Sequence, residues 1–287
     1  MMRTTRLGIS TFCYPYAVGV PGFAPQRPMT ACELVDRAAD LHVPVLQIGD
    51  NLPLHLLPED ALERLSRRAA EREITLEIGT RGIWPEHLLR YLAIADSLHA
   101  KLVRVVIDTP QDRPDFDEIL RRLRAVLPQY EAQGVTLGIE NHDRFPAATF
   151  ARLMDRLHSD RTGIVLDTVN SFACEENTRQ VLERLGPYTV NFHAKDFEIV
   201  RVPNAMGLRV TGTPAGKGRL HIPEILSELS RTARSDFTTV LELWMPPEPT
   251  VEQTIVKENC WVLQSVEYLE AVLRSHRQFL KKQEESS

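Results

Sequence analysis

Cysteine is scarce here and shows no pairing pattern: Cys13, Cys32, Cys174 and Cys260 are scattered along 287 residues with no CxxC spacing. That usage suits a reduced compartment better than a disulfide framework, and the four read as packing thiols. A basic surplus is also missing. Thirty-four Lys and Arg stand against 39 Asp and Glu, a formal net charge of -5, so no field draws a phosphate backbone and nucleic acid is not expected as a partner. No apolar run approaches the roughly 18 residues of a membrane span. The opening MMRTTRLGIS meets a strand-like segment without the apolar stretch of a signal peptide. A cytoplasmic protein with no membrane partner is expected. Two motifs are absent as well: no GxGxxG turn follows the first strand-like run, which argues against an open dinucleotide-binding sheet, and no phosphate-cradling loop is evident.

What is present is ordinary material for a large core, 43% hydrophobic and 25% charged residues. Short apolar or β-branched runs recur: LGISTFC near 7–13, VPVLQI at 43–48, ITLEIG at 74–79, LVRVVI at 102–107, VTLGIE at 135–140, TGIVLD at 162–167, YTVNFH at 188–193 and TTVLEL at 238–243. Between them lie segments such as CELVDRAADL, ALERLSRRAAER, EHLLRYLAIADSL and FDEILRRLRAVLPQYEAQ, whose apolar residues return every three or four positions. Eight strand–helix units in a chain of this length predict an α/β fold, a single-domain (β/α)8 TIM barrel over residues 1–275. A charged tail over 276–287, ending KKQEESS, is expected to fray. The stretch from Phe197 to His221 is too long for a simple connection and reads as a lid or pocket wall.

In such a barrel the chemistry gathers where strands end. Glu140, Asp167, His193 and Glu242 each fall at or next to the end of a strand run, the fifth to the eighth, and should converge on one mouth. Alternation supports their direction. If Glu140 points inward, Leu137 and Ile139 point outward beneath the helices; the same parity turns Ile164, Leu166, Val190, Phe192 and Leu241 outward. Three carboxylates and one imidazole make an oxygen-rich site suited to one divalent ion, Mn²⁺ first, with Mg²⁺, Co²⁺ or Zn²⁺ as alternatives. Without a cation the carboxylates would repel one another. Position also separates the histidines. His42, His99 and His158 precede strands and belong to the far face, whereas His142 follows Glu140 on the mouth side, where it is a candidate for proton transfer or substrate binding.

The runs IENH around Glu140, VLDTVN around Asp167, FHAKD around His193 and LEL around Glu242 resemble the sugar phosphate isomerase/epimerase group, the xylose isomerase-like TIM barrels that include ketose 3-epimerases and relatives of endonuclease IV. The resemblance extends from about Leu7 to about Leu273. It implies that Glu140, Asp167, His193 and Glu242 bind one divalent metal, and that Glu140 and Glu242 move protons on opposite faces of a substrate. Many epimerases of the group carry a histidine three residues after the aspartate; this chain has Asn170, which can hydrogen-bond a sugar hydroxyl but cannot act as an acid or base.

The expected activity is isomerisation or epimerisation of a small polyhydroxylated ketone through an enediolate. The alternative is a lyase or decarboxylase acting on a 3-oxo sugar acid or 3-oxo glycoside, with His142 or Lys195 as proton donor. A non-catalytic sugar-binding protein and an endonuclease IV-like enzyme are the remaining readings. Arg81, Asp108 and Lys217 are candidate substrate contacts, and Glu77 lies in a strand with its facing left open. Barrels of the group also suggest a homodimer or homotetramer.

Overall fold

Strand runs that are apolar on both faces need cover on both sides, and closure supplies it. In the computed structural model, which describes residues 2–203 and 206–285, eight parallel strands form a closed barrel: β1 (Thr5–Ser10), β2 (Val45–Ile48), β3 (Thr75–Arg81), β4 (Leu102–Val106), β5 (Thr136–Glu140), β6 (Thr162–Leu166), β7 (Thr189–Ala194) and, after a hairpin of β8 (Phe197–Arg201) and β9 (Leu208–Gly212), β10 (Phe237–Leu241). β10 pairs with both β7 and β1, which closes the ring. The helices are α1 (Pro15–Val18), α2 (Ala31–Asp40), α3 (Glu59–Glu71), α4 (Pro85–Ser97), α5 (Phe116–Gln133), α6 (Ala147–Leu157), α7 (Thr178–Leu185), α8 (Ile222–Thr232) and α9 (Val251–Glu285). This is the expected single (β/α)8 barrel.

Local sequence explains where the units begin and end. Thr30 and Asn177 start α2 and α7 with reciprocal side-chain bonds to Glu33 and Gln180 three residues on. His42, His99 and His158 take left-handed backbone, φ 56°, 55° and 48°, where helices hand over to the next strand. All three are exposed on the face away from the mouth, as expected. Leu137, Ile139, Ile164, Leu166, Phe192 and Leu241 are fully buried beneath the helices, each contributing roughly 1.5–3 kcal/mol of apolar burial. Val190 departs from the expected parity. The β6–β7 register shifts between Ile164 and Val165, making Val190 the extra residue, and its methyls fill the space in front of Gly163 on the inner row.

The long connection after β7, expected as a lid or pocket wall, contains an antiparallel hairpin, β8 against β9, that no sequence pattern announces. Ile199, Leu208 and Val210 on it are exposed, so no buried face imposes the alternation by which strands are recognised. Asn204 and Ala205 of this segment lie outside the described residues. The base of the hairpin is fastened by Asp196, whose Oδ1 accepts the N–H groups of Phe197 (2.8 Å) and Leu220 (2.9 Å) while Oδ2 accepts those of Gly216 (2.8 Å) and Gly218 (3.0 Å). A Cβ on Gly218 would come within 2.3 Å of the Asp196 carboxylate, which accounts for that glycine. α9 passes residue 275 without a break and continues to Glu285; Ser286 and Ser287, the end of the charged tail, lie outside the described residues. No described helix is long and apolar enough to cross a membrane.

α9 also anchors the first connection. Glu258 is fully buried and accepts the N–H groups of Tyr16 (2.7 Å) and Ala17 (3.0 Å) in α1. Burial pushes its carboxyl up to about 7, against those two donations, which favour the anion. A folded-state value above the unfolded one means that its contribution to stability is present below the unfolded value near 4.5 and is lost as pH rises through 7. Melting temperatures between pH 5 and 8 should therefore fall with pH more steeply in wild type than in Glu258→Gln. Parallel slopes would reject this assignment.

Candidate active site and metal centre

The carboxyl ends of β5, β6, β7 and β10 bring Glu140, Asp167, His193 and Glu242 to one end of the barrel, all buried. One ligand atom each from Glu140, Asp167 and His193 lies within 4.8 Å of the others, a group able to hold a metal ion. Glu242, expected as a fourth ligand, stands beside this trio: its Oε1 is 3.5 Å from His193 Nδ1 and accepts from Ser10 Oγ at 3.4 Å.

Each member is held by neighbours. Asp167 Oδ1 accepts the N–H groups of Val169 (2.8 Å) and Asn170 (3.1 Å), the local turn expected of an aspartate at a strand exit. Asn141 ties the ends of β5 and β6 together, donating to the Asp167 carbonyl (2.6 Å) and accepting from its N–H (2.9 Å). Asn170 Nδ2 donates to Glu140 Oε1 (2.9 Å), and its Oδ1 accepts from Lys195 Nζ (3.1 Å). Lys195 reaches Asp167 Oδ2 at 3.1 Å and Glu242 Oε2 at 3.8 Å. Burial alone would lower the Lys195 ammonium, but Asp167, Glu242 and Glu140 together hold it above the usual lysine range.

A residue that sequence reading passed over dominates the electrostatics. Arg104, from the middle of β4, points inward, with Nε 2.5 Å from Glu140 Oε2 and Nη1 2.6 Å from Asp50 Oδ1. Burial disfavours the Glu140 anion, yet the Arg104 guanidinium, with lesser help from His193 and Lys195, holds the carboxyl well below the usual range. Against the same burial penalty, Arg104 and Arg81 hold Asp50 down to about 2. The signal was available: a lone arginine inside LVRVV, a run apolar on both faces, has only the barrel interior or a mispacked helix layer to enter.

The donor set fits a metal on one further observation. His193 Nε2 lies 2.8 Å from Gln47 Oε1, an acceptor, so in the neutral ring Nε2 carries the hydrogen and Nδ1 the lone pair. That Nδ1 is buried, has no hydrogen-bond partner among the described residues, and faces the Glu140 and Glu242 carboxylates at 3.7 and 3.5 Å. Lone pairs converging on one point out of water call for a cation between them.

The outer candidates are spread around the rim. His142 Nδ1 pairs with Asp143 Oδ2 at 3.0 Å, and the ring helps line a small cavity together with Glu140, Asp108 and Phe145. The Asp108 carboxylate is taken by a two-pronged bond from Arg144, 2.7 and 2.5 Å. Arg81 is spent on Asp50 Oδ2 (2.9 Å) and the Asp108 carbonyl (3.2 Å). Lys217 is exposed on the Asp196-fastened turn, its ammonium making no hydrogen bond or ion pair among the described residues.

The chain's likeness to known proteins agrees with this architecture. The family model described as xylose isomerase-like TIM barrel matches residues 80–272. A 3-oxo-isoapionate decarboxylase of Pectobacterium atrosepticum is 30% identical over 265 residues, 92% of this chain and 94% of its own length. Among solved structures, a xylose isomerase-like TIM barrel protein from Mycobacterium smegmatis in complex with magnesium superposes with a TM-score of 0.71 at 14% identity, covering 95% of this chain and 97% of that one. A D-psicose 3-epimerase in the presence of D-fructose gives 0.70 at 15% identity, covering 94% and 99%. At such identities the two structures speak for the fold alone. The extent of the family match, and a relative of that identity along nearly the whole chain, establish that this chain belongs to the xylose isomerase-like TIM barrel family.

Proposed function

We propose that this protein is a metal-dependent decarboxylase of a small 3-oxo sugar acid. The observation that carries the reading is the clamp on Glu140: with Arg104 on one oxygen and Asn170 on the other, this carboxylate is no free base for a carbon-bound proton. Decarboxylation of a 3-oxo acid needs no such base. The bond between the carboxylate carbon and its neighbour breaks, its electron pair passes to the 3-oxo carbonyl, CO₂ leaves, and the resulting enolate carbon takes up one proton. The chain's own residues match those needs. Lys195, kept as an ammonium by Asp167 and Glu242, is the proton donor, and Asn170 orients it through Oδ1. Glu140, Asp167 and His193 would hold the divalent ion, with Glu242 next to them; when bound, the ion supplies a Lewis acid for a substrate oxygen. The 30% identical relative named as a 3-oxo-isoapionate decarboxylase supports the same substrate class.

Epimerisation or isomerisation of a ketose through an enediolate is the second reading. Glu242 favours it, since among the described residues no arginine is hydrogen-bonded or ion-paired to that carboxylate, which leaves it open to a base's role. One experiment separates the two. Protein loaded with Mn²⁺ in deuterated water is expected to release one CO₂ per 3-oxo sugar acid consumed and to place one deuterium on the product carbon. Exchange of carbon-bound hydrogen in free ketoses, with no CO₂ from any 3-oxo acid, would overturn decarboxylation in favour of epimerisation.

A further inference from the structure

Beneath the mouth lies a second buried layer of polar side chains that the chemistry above does not use. Glu77 of β3 stands opposite Gln47 of β2 in the ladder and reaches across the barrel. Its Oε1 accepts from Thr238 Oγ1 of β10 at 2.6 Å, and its Oε2 accepts from Gln47 Nε2 at 3.0 Å and Asn191 Nδ2 of β7 at 2.8 Å. Gln47 then presents Oε1 to His193 Nε2 at 2.8 Å. All of these residues are buried.

We propose that Glu77, acting through the amide of Gln47, holds His193 with its hydrogen on Nε2, so that Nδ1 is the atom offered to a divalent cation. The argument is one of donors and acceptors. Glu77 Oε2 receives two amide donors, so the nitrogen end of Gln47 must face it and the oxygen end must face His193. Burial pushes the Glu77 carboxyl up, opposed by the bonds from Thr238 and Gln47, but a proton on Oε1 would still leave Oε2 an acceptor for both amides. An oxygen facing His193 Nε2 demands a hydrogen there. The lone pair is thereby left on Nδ1, the unpartnered atom that faces Glu140 and Glu242. Glu77 and Gln47 are positioning residues in this scheme; neither touches the ion.

The relay predicts its own failure and its own conservative control. Gln47→Met removes the acceptor at Nε2, and the ring hydrogen then moves to Nδ1, where the Glu140 and Glu242 carboxylates draw it and it blocks the cation. Glu77→Met removes the acceptor that fixes the Gln47 amide, so the amide nitrogen can turn to His193 with the same result. Glu77→Gln keeps the relay: its oxygen stays toward Gln47 and Asn191 while its nitrogen donates to the Thr238 hydroxyl, as a protonated Glu77 would.

The inference rests on the metal centre and is independent of the choice between decarboxylation and epimerisation. The test reads the His193 tautomer by nitrogen-15 NMR of histidine-labelled metal-free protein, the signal assigned by its loss in His193→Gln, together with the Mn²⁺ dissociation constant by calorimetry. Wild type and Glu77→Gln are expected to show the hydrogen on Nε2, and Gln47→Met and Glu77→Met on Nδ1. Mn²⁺ should bind Gln47→Met and Glu77→Met about 10–100-fold more weakly, and Glu77→Gln within about threefold of wild type. A wild-type ring with its hydrogen on Nδ1 overturns the proposal, and that measurement requires no variant to fold. So does a folded Gln47→Met or Glu77→Met with tautomer and affinity unchanged, or a Glu77→Gln weakened as much as Glu77→Met. Wild-type protein that binds no Mn²⁺ overturns the metal centre itself, and the tautomer still distinguishes that failure from failure of the relay.

Discussion

Arg104→Met is expected to destabilise the metal-free protein by about 3–5 kcal/mol, because it strands the buried Glu140 carboxylate and takes one of its two arginine partners from the half-buried Asp50. Glu140 and Asp50 lose ion pairs of 2.5 and 2.6 Å in surroundings where the Glu140 and Arg104 side chains are 1% and 4% exposed. Methionine fills much of the same space without the charge, so the loss is electrostatic more than one of packing. In a chain of this size the melting temperature should fall by roughly 5–15 °C. The pH dependence should also weaken. In wild type the Glu140 carboxyl is held below its unfolded value, so its contribution is present above the unfolded value near 4.5 and is lost as pH falls toward 2. Without the guanidinium, burial is opposed by His193 and Lys195 alone, so the carboxyl rises and less of that contribution remains. Saturating Mn²⁺ should recover more melting temperature in Arg104→Met than in wild type, since the ion replaces the missing cation. A fall of under about 2 °C in metal-free protein, or equal metal stabilisation of both forms, would show that Arg104 carries no such load.

Lys195→Met should move two measurements in opposite directions. Turnover of a 3-oxo sugar acid is expected to drop about 100–10,000-fold at saturating metal, the span typical of losing a positioned proton donor. Affinity for Mn²⁺ should stay level or tighten, because the ammonium that competes for Asp167 Oδ2 at 3.1 Å has gone. A general collapse of the site would weaken both together. Initial rates of CO₂ release and metal titration on the same preparation decide the matter: turnover within tenfold of wild type, or weakened metal binding, removes Lys195 from the proposed role.

The parts of this molecule that were legible beforehand are those with a repeating physical cause. Alternating strand and helix runs give each strand two apolar faces, and eight such units leave a closed barrel as the arrangement that covers them all. Strand ends then place Glu140, Asp167 and His193 without any knowledge of distance, since all strands run the same way. The misses have causes of equal clarity. The β8–β9 hairpin buries no face, so it leaves no periodic trace. Val190 follows the parity of its own strand on paper, but a bulge is a property of two strands in register. Arg104 lies in mid-strand, away from the strand ends where candidates were sought, and its burial beside Glu140 is a tertiary fact. Lys217, a candidate substrate contact, sits on a turn that Asp196 fastens through the backbone of the two flanking glycines, a restraint no local pattern announces.

By itself, then, the sequence determined the architecture and the end of the barrel to which Glu140, Asp167 and His193 are brought, because hydrophobic period and chain direction are local quantities that add up along the chain. Only the tertiary structure decided what each inward polar group meets. Glu77 finds Asn191 114 positions away and Thr238 161 positions away, and Arg104 joins Asp50 to Glu140 across three strands. Those pairings exist only once closure has set the register of every strand against its neighbours and brought opposite walls to within hydrogen-bonding distance.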